Sequence, residues 1–257
     1  MLFRSVSRPA SVEAAGVSHL MAFAEQTGAE VYIVHTSCED AVLAAQRGIS
    51  RGVRAHIETV IPYLTLDSTY AEKAGDNGFE GAKYVMSPPI RARRHQDFLW
   101  DALRARTIAT VATDHAPFDY KGQKEMGRFP GSDFTRIPNG IPSVEHRVDL
   151  LYTHGVATGR IDLHTFVDAA STRAARVFGL KNKGSIAVGA DADLVIYDPA
   201  HRGVISAKTH HMATDYSGWE GWELKGRSSV VTVRGRVMVR DGRFVGDTKH
   251  GRLVPRS

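Results

Sequence analysis

The sequence predicts an α/β fold in which parallel βα units come first and a region of antiparallel β-strands follows. Three observations carry that expectation. Short, continuously apolar runs alternate with helical patterns along the first part of the chain. Residues able to do chemistry stand at the ends of those runs. From Ile186 the texture changes to short strands in which charged residues alternate with valine.

Taken in order, Ser11 to Gly28 carries apolar residues at helical spacing and ends in Thr-Gly, which predicts an amphipathic helix stopped by glycine. VYIVH (31–35) is apolar almost throughout and predicts a parallel strand covered on both faces. EDAVLAAQRG (39–48) predicts the next helix, with Gly48 as its cap. The alternation repeats as a strand at RAHIETV (54–60), a strand at KYVMS (83–87) stopped by Pro88-Pro89, a helix near His95–Arg106 and a strand at TIATVAT (107–113). Such units build a doubly wound sheet or a barrel, and both gather ligands at the C-terminal ends of their strands. His35, Ser87 and Asp114 each close one of these runs. After Gly122 a Gly/Pro-rich stretch, GRFPGSDFTRIPNGIPSVE, is too long for a plain connection and reads as a lid or substrate loop. Helices are predicted over Val144–Tyr152 and Leu163–Phe178. ADLVIYD (192–198), SSVVTVRG (228–235) and RVMVRDGRFV (236–245) read as antiparallel strands, the last two joined tightly at Arg234-Gly235. The expected division is an α/β part over 1–185 and a β part with the C-terminal tail over 186–257.

With 257 residues, 42% of them hydrophobic and 24% charged, the chain can bury a sizeable core. No window approaches the ~18 uninterrupted apolar residues of a membrane span, and the first twenty residues lack the apolar core of a signal peptide. A cytoplasmic protein with no membrane partner is expected. The excess of 33 Lys and Arg over 28 Asp and Glu is scattered except in the tail from Arg227 to Arg256, without the interleaved aromatics that nucleic acid would want. One cysteine, Cys38, excludes an internal disulfide and reads as a small buried hydrophobe.

Asp114 and His35 are each ambiguous alone, as a helix cap or loop hydrogen-bonder and as an ordinary polar residue. Together, imidazole and carboxylate at strand ends suit a divalent ion such as zinc. They make half of a catalytic site, which normally has about three protein ligands.

VYIVHTSCEDAV, HIETVIPYLTLD, KYVMSPPIR, ATVATDHAPF, RIPNGIPSVEHR, STRAARVFGL, KGSIAVGADADLVIYDP and GWELKGRSSVVTVRGRVMVRDGRF resemble, in that order, the dihydropyrimidinase/D-hydantoinase branch of the cyclic amidohydrolases. The resemblance implies the last strands and helices of a TIM (β/α)8 barrel, followed by part of a small β-sandwich. It also implies a binuclear Zn²⁺ centre at the barrel mouth, a small cyclic amide or imide substrate opened at its ring C–N bond, and a homotetramer. On the motifs, His35 resembles a metal-ligating histidine. Asp114 resembles the aspartate that both ligates and carries a proton from the bridging water to the leaving nitrogen. Ser87 in MSPP and Asn139 in IPNG resemble the substrate-positioning pair. His56 is a possible residue behind the metal ligands or beside the substrate, and His115 supports the loop bearing Asp114. Trp219 and Trp222 read as packing.

The departures from that pattern are equally specific. There is no H-x-H, only the adjacent His210-His211, no V-H-A-E-N segment and no recognisable strand bearing a ligand lysine. The chain therefore corresponds to a C-terminal portion of the family, expected to be inactive alone. A non-catalytic dihydropyrimidinase-related scaffold and an allantoinase or dihydroorotase relative are the alternatives. Retention of both His35 and Asp114 argues against the scaffold.

Overall fold

The computed structural model describes residues 7–256, organised by two sheets. The first α/β unit opens with helix α1 (Ala10–Thr27), which ends where Gly28 adopts a left-handed φ of 68° that costs glycine nothing. Strand β1 (Val31–Ile33) follows, then helix α2 (Glu39–Ser50). Gly48, expected as the cap of α2, lies inside it. A Cβ there would meet the Met21 Cε at 2.4 Å, so the missing side chain serves close packing of α2 on α1 rather than termination.

Strand β2 (Ala55–Val60) runs directly into the short helix α3 (Ile61–Thr65), whose residues are all buried. Helix α4 (Arg93–Arg104) buries Leu99, Trp100 and Leu103, and Trp100 anchors it by donating its indole N–H to the Leu64 carbonyl at 2.8 Å. Strand β3 (Thr110–Ala112) completes a parallel sheet of order β1-β2-β3.

Two expectations for this part fail. KYVMS forms no strand: a 3₁₀ turn over Glu80–Tyr84 leads into an unpaired segment. Its Val85 carbonyl takes the Gly140 N–H and the Lys124 ammonium instead, so a loop occupies the acceptor that a neighbouring strand would need. VYIVH is not covered on both faces either. Only its first three residues pair, and Val34 is 47% exposed.

The region predicted as two helices is broken by π-helical turns. Helix α5 (Arg147–Leu151) passes into such a turn at Tyr152–Val156, and a second one at Asp168–Thr172 separates α6 (Leu163–Val167) from α7 (Arg173–Val177). Strands β4 (Val195–Val204), β5 (Glu223–Val233), β6 (Arg236–Arg240) and β7 (Arg243–Phe244) form the antiparallel sheet in sequence order. The tight turn at Arg234-Gly235 is present, and RVMVRDGRFV folds as two strands around a second turn at Asp241-Gly242. Between β4 and β5 the chain returns to the α/β core. Ile205 and Trp219 share one buried cluster with Ile57 and Leu99, and the Trp219 indole donates to Thr65 Oγ1 at 2.9 Å.

Candidate active site

Five non-glycine residues among those described have positive φ. Arg106 (61°) follows the last turn of α4, and Arg234 (46°) and Asp241 (49°) each precede a glycine in a hairpin turn. Those three positions have ordinary structural reasons for a left-handed backbone. His35 (42°) and Asp114 (46°) do not belong to such turns, and each stands two residues beyond the C-terminal end of its strand, β1 or β3. Strain of this kind persists only where the surroundings over-determine it.

For His35 the over-determination is visible. The register of β1, β2 and β3 sets Tyr32, His56, Glu58 and Thr110 on one face of the sheet. From that face Glu58 Oε1 accepts the His35 N–H at 3.1 Å, while its Oε2 accepts the Tyr32 hydroxyl at 2.6 Å. Burial, with the Glu58 carboxylate second, pushes the Tyr32 phenol well above its ordinary value, so it keeps the proton it donates. The next residue is held as well: Thr36 N–H donates to the Glu58 carbonyl at 2.8 Å, and Thr59 Oγ1 donates to the Thr36 carbonyl at 2.9 Å.

A buried ion pair continues this network toward Ser87. Arg91 Nη2 lies 2.9 Å from Glu13 Oε2, with the two side chains only 9% and 12% exposed. Glu13 also accepts the Ser37 N–H at 2.8 Å and the Ser37 hydroxyl. Arg91 donates further to Ser37 Oγ at 2.9 Å and to the Arg8 carbonyl at 2.6 Å, and Arg8 donates to Ser87 Oγ at 2.9 Å. Helix α1, the segment after His35 and the segment at Ser87 are thus tied by one set of charge-assisted hydrogen bonds.

Asp114 is exposed, and the loop that carries it is fixed by its neighbours. His115 Nδ1 accepts the N–H groups of Ser143 and Val144 at 3.0 and 3.3 Å. Burial lowers the His115 pKa, which suits a neutral ring with an acceptor nitrogen. Ser143 Oγ donates to the Thr113 carbonyl at 2.9 Å, and Ala116 N–H to the Ile141 carbonyl at 3.3 Å. Asn139 sits exposed on the segment joined here, and Gly140 N–H donates to the Val85 carbonyl at 3.0 Å, two residues before Ser87. Three segments bearing Asp114, Asn139 and Ser87 are therefore laced together.

His56 is not brought to this end of the sheet. It lies near the start of β2, its Nε2 3.0 Å from Glu30 Oε1, at the opposite end of the strand from Val60. Its neighbour on the same face, Glu58, reaches His35 in its place. Glu58 had a legible signal, two residues nearer the strand's C-terminal end than His56. Lys124 and the Glu13–Arg91 pair had none, since isolated charges in sequence read as solvated. Cys38 is fully buried, with burial pushing its thiol up to about 12. Among the described residues no group of three or more His, Cys, Asp or Glu side chains is placed to hold a metal ion, and no helix is long and apolar enough to cross a membrane. The donor types at His35 and Asp114 fit a zinc-like ion, but their number does not make a complete centre.

The model of the Amidohydrolase family matches residues 12–238, and the chain belongs to that family. Members of the family depend on metal. Within it, the chain is 46% identical over 257 residues to a D-hydantoinase from Geobacillus stearothermophilus, covering 100% of this chain and 53% of that protein. The solved D-hydantoinase (dihydropyrimidinase) from a Thermus species superposes with a TM-score of 0.91 at 55% identity, over 98% of this chain and 54% of that one. The dihydropyrimidinase from Brevibacillus agri gives 0.94 at 44% identity, over 99% and 54%. The chain spans about half the length of the curated relatives it matches.

Proposed function

We propose that this chain carries part of the machinery for hydrolysing the ring C–N bond of a cyclic amide of the hydantoin or dihydropyrimidine kind. The parallel sheet is then part of a (β/α)8 barrel, and the antiparallel sheet part of a β-sandwich. The observation that carries the reading is the pair of left-handed residues, His35 at 42° and Asp114 at 46°, at equivalent positions beyond two parallel strands. The resemblance to enzymes named D-hydantoinase supplies the substrate class.

In this reading water adds to the ring carbonyl, the C–N bond breaks and the ring nitrogen leaves with a proton. Asp114, exposed at the rim, takes the proton from the attacking water and returns it to that nitrogen. The Ser87 hydroxyl and the Asn139 main chain orient the imide, and His115 fixes the loop that carries Asp114. His35 and Asp114 are donors of the kind zinc takes. They are too few alone to complete a metal centre, so the isolated chain is expected to be inactive.

The test joins this chain to the part of a related D-hydantoinase that lies outside the matched region, by fusion ahead of Ser7 or by co-expression. Ring opening of hydantoin or dihydrouracil should appear in the combination and be absent from the chain alone. Asp114→Asn should then lower turnover by roughly 10²–10⁴. His35→Ala should lower bound zinc together with rate. An active combination in which Asp114→Asn keeps full turnover sinks the proton-carrier role.

A further inference from the structure

KGQKE (121–125) looks like a solvated charged turn, yet Lys124 is fully buried. A buried ammonium is tolerated only where its donors are satisfied. Lys124 Nζ donates to the Val85 carbonyl at 2.9 Å and to the Pro138 carbonyl at 3.1 Å. Those carbonyls belong to different segments: Val85 lies two residues before Ser87, and Pro138 immediately precedes Asn139.

The surroundings explain why this junction must be exact in spacing. The Val85 carbonyl also accepts the Gly140 N–H at 3.0 Å, so one oxygen is shared by the lysine and the opposite segment. Gly140 has a φ of 119°, and a Cβ there would lie 2.2 Å from the Ala116 Cβ, which puts the segment after Asp114 in direct contact. Neither carbonyl that Lys124 holds lies in a sheet or helix. An apolar side chain of equal length would leave the Pro138 oxygen without this donor and the Val85 oxygen with Gly140 alone.

We infer that Lys124 is a positioning residue: its ammonium sets segments 85–88 and 138–141 in register, so that Ser87 and Asn139 face one imide ring together. The inference deepens the proposed function and rests on it for the word imide. The register itself rests on the hydrogen bonds above.

The test uses the full chain with residue-resolved amide hydrogen exchange, hydantoin titration followed by NMR, and thermal unfolding. Lys124→Met should raise exchange at Gly140 and Ala116 at least ~10-fold while amides of β2 and α2 keep their parental rates, the scale expected for losing one hydrogen bond to a charge. Hydantoin-induced shifts at Ser87 and Asn139 should weaken in the same variant, and Lys124→Arg, which keeps donors, should recover part of both. Exchange that rises evenly across the fold assigns Lys124 a merely structural role and overturns the inference, as does Gly140 exchanging at the parental rate. If the parent shows no hydantoin shifts while Lys124→Met still frees Gly140 and Ala116, the register stands and the substrate reading of Ser87 and Asn139 falls. Should Lys124→Met fail to fold, the parent decides: Nζ–H cross-peaks to both Val85 and Pro138 support the clamp, and contact with only one segment overturns it.

Discussion

In the antiparallel sheet, Arg234 and Asp241 take up left-handed backbone one residue before Gly235 and Gly242, closing two-residue hairpins between β5, β6 and β7. In the parallel sheet, His35 and Asp114 take up the same conformation with no hairpin to close. The right-handed twist of paired strands favours such turns, so at Arg234 and Asp241 the strain has a local return. At His35 the strain is held from outside, by a carboxylate on the neighbouring strand. One conformation thus closes hairpins in one sheet and stands beyond the strand ends in the other, and neighbouring partners rather than φ values tell the two settings apart.

Two ion pairs, one in each region, stand in opposite settings. Beside the parallel sheet one ion pair, Arg91 with Glu13, is buried and further satisfied by Ser37. On the antiparallel sheet the Arg236–Asp247 pair is open, its side chains 52% and 42% exposed, and so are apolar residues such as Val195 and Ile196. The largest expected effect follows from this contrast. Arg91→Met leaves the Glu13 carboxylate buried without its cation and should destabilise by about 3–5 kcal/mol in urea unfolding. Arg236→Met should change stability by no more than about 1 kcal/mol. Equal losses in the two variants would erase the distinction.

Asp149, on α5, links the two regions by accepting the Tyr197 hydroxyl of β4 at 3.3 Å. Burial raises its pKa to about 6. The folded value lies above the unfolded one of about 3.9, so folding favours the protonated form, and stability is lost as pH rises from about 4 through about 6. Asp149→Asn removes that loss. It should be more stable than the parent by roughly 2 kcal/mol at pH 7.5, with the advantage vanishing near pH 4. Parallel pH profiles for the two proteins would show that Asp149 ionises normally.

A smaller effect is expected at Glu58. Glu58→Gln keeps the shape but turns an amide donor toward either the His35 N–H or the Tyr32 hydroxyl, costing about 1–2 kcal/mol. The His35 amide resonance should move with it. A variant of unchanged stability and unchanged His35 resonance would mean that β1 alone sets the left-handed backbone.

Much of this was legible in the chain, and unevenly so. Period and punctuation gave the helix ending at Gly28, the three parallel strands and the Arg234-Gly235 turn, because each is decided by a few adjacent residues. KYVMS misled because its apolar pattern fits a strand, while the partner that claims its carbonyl, Lys124, lies 39 residues further on. Gly48 misled because a glycine near a helix end reads as a cap, and its contact with Met21 is a tertiary fact. The candidate residues His35, Ser87, Asp114 and Asn139 stand out in the sequence as motif residues. Of the groups that hold their segments, Glu58 had a signal in its place on the strand, while Arg91 and Lys124 had none, since their support depends on distance in space and leaves no local pattern.

The smallest effect separates the two uses of strain most directly. A non-glycine residue in the left-handed region costs about 1–2 kcal/mol, and glycine returns roughly half of that in lost chain entropy. Arg234→Gly should therefore raise stability by up to about 1 kcal/mol, with its hairpin intact. His35→Gly relieves the same strain, and if the imidazole is displayed for chemistry rather than packed for stability, it should gain a similar amount. A position held strained for function is one where the fold improves when the functional group is removed. Thermal melts of the two variants decide the matter. Should His35→Gly melt below the parent while Arg234→Gly melts above it, the His35 side chain is a structural element of the rim, and the likeness between His35 and Asp114 would no longer point to a shared site.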